Sequence, residues 1–99
     1  MSNDRMKFRY PSLGTNLLVY RGPRFWTIRL DDERGFDGLP RGDIDFVVWD
    51  RCRSAVVAII RKTPSGTFLG HAPGDEANVS AFPDVVTATR RLGLMTSPV

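Results

Sequence analysis

A chain of 99 residues with 41% hydrophobic content can build one modest core, because at this length roughly 60 to 70 per cent of the surface exposed by the unfolded chain becomes buried. The formal net charge of +3 leans only slightly toward acidic partners, and arginine supplies nearly all of the positive charge, since Lys7 and Lys62 are the only lysines. No apolar run approaches the ~20 residues of a membrane span, no hydrophobic stretch follows the N-terminal charges as in a secretory signal, and the single Cys52 excludes an intramolecular disulfide; the sequence predicts a cytoplasmic chain with no membrane partner.

No change of composition marks a linker. Residues 1–99 read as one small domain with loose ends at about 1–6 and 95–99. The segment RMKFRYP, residues 5–11, has the make-up of a basic arm. Residues 16–20 and 24–30 are rich in β-branched and aromatic types and flank Gly22-Pro23, which predicts a hairpin. In its second strand Trp26, Ile28 and Leu30 share one face and Phe25, Thr27 and Arg29 the other, the period of two that a half-buried strand requires. The tryptophan face is the expected core face, so Arg21, Arg24, Phe25 and Arg29 are expected on the outer one.

Residues 31–43, DDERGFDGLPRGD, are dense in Asp, Gly and Pro and predict a long loop, a feature uncommon in a compact domain unless it has a function. IDFVVWDR, residues 44–51, alternates like a strand. AVVAIIR, residues 55–61, is a continuous apolar run suited to a central strand covered on both sides. It leads through a turn containing Gly66 into Thr67-Phe68-Leu69, a second hairpin. A short helix is expected from about Phe82 or Pro83 to Leu92, with Asp84 at its positive end, Arg90 and Arg91 in its last turn and Gly93 just beyond it. Val85, Ala88 and Leu92 form its buried stripe. The predicted architecture is α+β: an antiparallel sheet of about five strands, including two hairpins, with one short C-terminal helix packed on it.

Charge falls in blocks along the chain. Residues 1–30 carry six basic groups and one acidic, residues 31–45 two basic and six acidic, and residues 46–62 four basic and one acidic. Basic strands therefore alternate with an acidic loop.

Catalytic and metal chemistry find little support. One Cys and one His cannot make any familiar Cys/His zinc site. His71 lies in a Gly-Pro turn near Asp75 and Glu76, and reads as a loop histidine. Cys52, between Arg51 and Arg53, reads as a small inert residue at a strand end rather than an activated thiolate. Asp43 and Asp45 share a strand face, but no accompanying Glu-x-Lys segment or Asp-x-Asp-x-Asp-Gly order makes a nuclease or calcium site of them. No glycine-rich phosphate loop is present, so no cofactor, metal or enzymatic role is expected.

Two binding readings remain. In the first, Arg21, Arg24, Phe25, Arg29, Arg51, Arg53, Arg61 and Lys62 form a basic, aromatic sheet surface for nucleic acid. From Ala55 onward, strand, turn TPSGTF, strand and FPDVVTATRRL resemble the sheet-plus-helix layout of the arm-binding domains of tyrosine recombinases, in which a Gly-x-Phe/Trp hairpin precedes a Phe-opened helix. The likeness spans less than half of the chain, has no counterpart for the acidic loop, and implies nucleic-acid binding. In the second reading the same residues anchor a protein partner, with Asp31, Asp32, Glu33 and Asp37 docking on a basic surface, as in a small inhibitor, immunity or accessory factor of bacterial or phage type. The acidic loop would repel phosphate and favours this second reading; a homo-oligomer paired through an edge strand is a variant of it.

Overall fold

The computed structural model describes residues 13–31 and 33–96; the expected basic arm, residues 1–6 and Asp32 lie outside them. Six strands run β1 (Leu17–Arg21), β2 (Phe25–Arg29), β3 (Phe46–Asp50), β4 (Ala55–Lys62), β5 (Phe68–His71) and β6 (Ser80–Phe82), followed by helix α1 (Val85–Thr96). Each strand pairs antiparallel with the next, so sheet order follows chain order. The predicted α+β class holds, with β6 as the added strand. Its three residues are too few to show a period of two.

Helix α1 crosses the sheet and covers one face. Val48, Ala58, Ile60 and Phe82 from the strands enclose Ala88 and Leu92 from the helix, and Phe46 meets Phe68 edge-on at 5.9 Å between ring centres. Beneath the helix the sheet also holds a buried polar contact, in which the Thr27 hydroxyl meets that of Thr89. Thr89 donates to the Val85 carbonyl at 2.9 Å, so Thr27 donates to Thr89 and both hydroxyls are satisfied.

The helix lies on the face of Phe25 and Thr27, opposite Trp26. That face of the first hairpin is therefore not an open outer surface. Trp26, Ile28 and Leu30 do belong to a core, but to a second one, shared with Val47 and Trp49 and roofed by Phe36 of the acidic loop. Phe36 stands edge-on to Trp49 at 6.0 Å.

Within that loop Phe36 and Leu39 exchange both backbone hydrogen bonds, at 3.1 and 2.9 Å, around Asp37-Gly38. Both turn residues have positive φ, 49° and 83°, the geometry for which Asp-Gly is a preferred pair. Gly35, at φ 86°, has no room for a side chain, since a Cβ would come within 1.9 Å of the Leu39 carbonyl oxygen. Within the segment expected as a long loop, residues 36–39 form a miniature hairpin whose Phe36 is buried.

Helix α1 starts later and ends later than predicted. Asp84 is the N-cap: its carboxylate accepts from the Thr87 amide at 2.7 Å and from the Thr87 hydroxyl at 3.0 Å, leaving Pro83 outside the helix. Gly93 lies inside the helix rather than past its end, and Arg90 and Arg91 sit in its middle. Gly93 sits over the Phe25 ring, where a Cβ would approach ring carbons to 2.6–2.8 Å, so glycine here serves packing rather than a C-terminal turn. Gly70 makes room in the same way for Leu92.

Gly93→Ala is thus predicted to destabilise the protein by about 1 to 3 kcal/mol in urea unfolding, although alanine is the better helix former; an increase in stability would contradict this packing. The hydrogen bonds from Thr87 hold the Asp84 pKa below the ordinary aspartate range. The stabilisation that this cap supplies is present above about pH 4 and disappears as pH falls through the lower folded value. Asp84→Asn is predicted to flatten the acid limb of the stability profile, measured by urea midpoints against pH.

Candidate interaction surfaces

The turn of VYRGPRFW is closed by the Gly22 amide donating to the Phe25 carbonyl at 3.1 Å. Arg24 follows it and reaches across to Asp50 at the end of β3. Nε and Nη2 grip the two carboxylate oxygens at 3.0 and 2.9 Å. Asp50 is fully buried, and its Oδ1 also accepts from the Cys52 amide at 2.9 Å, so one carboxylate ties the β1–β2 turn to the turn between β3 and β4. The hydrogen bonds to Asp50 raise the Arg24 pKa. Arg24 therefore remains charged, with its fork committed within the protein.

The other predicted anchors divide in the same manner. Arg51 donates to the Pro23 carbonyl at 3.1 Å, and the guanidinium carbons of Arg51 and Arg21 each lie 5.2 Å from the Trp26 ring centre. Arg53 donates to the Thr96 carbonyl at 3.1 Å, capping the end of α1. Phe25 is half-buried against Gly93, with Arg24 over its ring. Arg29 and Lys62 line a groove that also contains Asp31 and Asp45, whereas Arg61 lines a cavity on the other face. The eight residues thus do not gather into one basic stripe. Asp31, Glu33 and Asp37 are exposed on the loop whose Phe36 is anchored below them. Cys52 is exposed in the β3–β4 turn.

One surface escapes the sequence reading. Leu94 is 75% and Met95 65% exposed on the outer side of α1, beside Arg90 and Arg91. Leu94 and Arg90 also border a groove of 530 Å³ whose opposite wall is Tyr20, Pro23, Arg24 and Phe25. A signal was present in the sequence: Leu94 stands two residues beyond Leu92, about 200° around a helix, and cannot belong to the buried stripe.

Among the described residues no three His, Cys, Asp or Glu side chains converge to hold a metal ion, and no helix is long and apolar enough to cross a membrane. The chain matches no protein-family model, and neither the curated proteins nor the solved structures contain a match to it.

Asp50→Ala is predicted to cost about 2 to 4 kcal/mol, because it strips the partner from Arg24 and from a turn amide at once. Arg29→Ala, which breaks no such contact, is predicted to stay within about 0.5 kcal/mol of the parent. Equal losses in the two variants, measured by urea unfolding, would refute the structural role given to Asp50.

Proposed function

We propose that this protein is a non-enzymatic module that binds another protein, of the inhibitor, immunity or accessory type found in bacteria and their phages. The observation that supports this is the exposure of Leu94 and Met95 beside Arg90 and Arg91, with Leu94 at the edge of the groove walled by Tyr20, Pro23 and Phe25. Interface centres are enriched in aromatic residues, Met and Arg, which place large apolar area beside forked donors. No carboxylate lines the two depressions that Leu94 borders, whereas Asp75 lines a third that Met95 shares with Arg53 and Leu92. The fitting partner presents an apolar side chain ringed by acidic groups.

Nucleic acid fits this surface less well. Its exposed centre is the aliphatic pair Leu94 and Met95, the rings of Tyr20 and Phe25 lie only on the groove wall, and the remaining basic residues are spread over both faces of the sheet. The acidic loop, which roofs the opposite face of the sheet, would repel phosphate there.

The test compares the parent with a Leu94→Asp, Arg90→Ala double variant, both checked for fold by circular dichroism. A protein retained from host-cell extract by the parent should bind the variant at least about tenfold more weakly in a purified assay, as loss of an interface hot spot implies. A partner bound equally by both would overturn the assignment. So would micromolar binding of DNA or RNA that weakens steeply with salt and is lost in Arg90→Ala, Arg91→Ala.

A further inference from the structure

The loop that roofs the second core stops short of the far half of its sheet face, and what it leaves open is a cavity of 260 Å³. Its apolar lining comes from Ile44, Ile59, Leu69 and Val79. Ile59 pairs with His71 and Arg61 with Leu69 across β4 and β5, so these four share one face of the sheet. Asp43 approaches from the end of the acidic loop and Glu76 from the segment between β5 and β6.

Charges of both signs therefore line a single small cavity. Yet Asp43, Arg61 and Glu76 make no ion pair or side-chain hydrogen bond with another described residue. Their bonding capacity is open to a ligand. His71 is oriented as well: its Nδ1 lies 2.7 Å from the Ala72 carbonyl, which can only accept, so Nδ1 carries a proton and Nε2 of the neutral ring is left as an acceptor.

We infer that this cavity is a binding site for a free aliphatic α-amino acid, with the side chain on the Ile44–Ile59–Leu69 lining, the carboxylate on the Arg61 fork and the ammonium facing Glu76 and His71. The volume lies just below the range of about 300 to 1,000 Å³ typical of drug-sized ligands, which suits a compact metabolite. A guanidinium fork matches a carboxylate in two parallel hydrogen bonds. The two carboxylates, Asp43 and Glu76, disfavour phosphate ligands, and the short apolar lining cannot cover an acyl chain. This site is separate from the helix surface proposed for a protein partner, and neither reading depends on the other.

The test is a ¹H–¹⁵N NMR titration of the full chain with L-leucine, 4-methylpentanoate, which lacks the ammonium, and 3-methylbutylamine, which lacks the carboxylate. L-Leucine should shift the amides of residues 59–61, 69–71 and 76 saturably, and each analogue should bind about tenfold or more weakly, the factor expected for one lost charge-assisted contact. Arg61→Gln should weaken leucine binding by a similar factor with the rest of the spectrum unchanged. Glu76→Gln, in an exposed segment, provides the second variant should Arg61→Gln disturb the fold. Leu94→Asp should leave leucine binding intact. Absence of saturable shifts with leucine, equal binding of 4-methylpentanoate, or indifference to both cavity variants would overturn the site.

Discussion

A six-stranded sheet has two faces, and the described residues supply a single helix with which to cover them. Burying only one face would leave Trp26, Ile28, Val47 and Trp49 against water as a contiguous apolar patch, which a single domain rarely exposes. The Asp-Gly hairpin inside residues 31–43 meets this constraint by lowering Phe36 onto Trp49 while its charged neighbours remain outside. What composition marks as an acidic loop is thus the second layer of the fold. Its length follows from that duty, because β2 and β3 are neighbours that a tight turn could join, whereas this segment must carry Phe36 back over Trp49.

The arginines show the same economy. Asp50 could not be buried alone, since an isolated carboxylate in the interior would cost several kcal/mol in lost hydration. Arg24 and the turn amide at Cys52 supply the compensation, and in doing so they fix the two turns at one end of the sheet. Arg53 closes the C-terminal end of α1, and Arg21 and Arg51 lie over Trp26. Basic residues that look interchangeable in the sequence thus have separate duties, most of them internal.

Covers of limited length also determine what stays open. Helix α1 spends one stripe on the sheet and turns Leu94, Met95, Arg90 and Arg91 outward. The acidic loop covers the Trp49 end of its face and leaves Ile59 and Leu69 at the floor of a charged cavity. The two proposed binding surfaces are the regions where the two covers end. They lie on opposite faces of the sheet, so occupation of one leaves the other accessible.

Local features were legible in the sequence because they depend on neighbours a few positions apart. The period of two in residues 25–30, the Gly22-Pro23 turn, the Gly66 turn and the Val85–Ala88–Leu92 stripe each predict an element that the structure contains. The Asp37-Gly38 turn was legible too, but Phe36 and Leu39 are too short a flank for a periodic signal, and β6 is hidden for the same reason. Tertiary structure alone decided which sheet face takes the helix, since the period of two in β2 marks the Trp26 face as the core face and the helix packs on the other. It decided that Gly93 serves packing inside the helix rather than ending it, because the ring that it accommodates, Phe25, is distant in sequence. It also decided which arginines are committed, through contacts such as Arg24–Asp50 that span 26 positions. Side-chain chemistry fixes what an arginine is able to bind, and only chain closure fixes what stands within its reach.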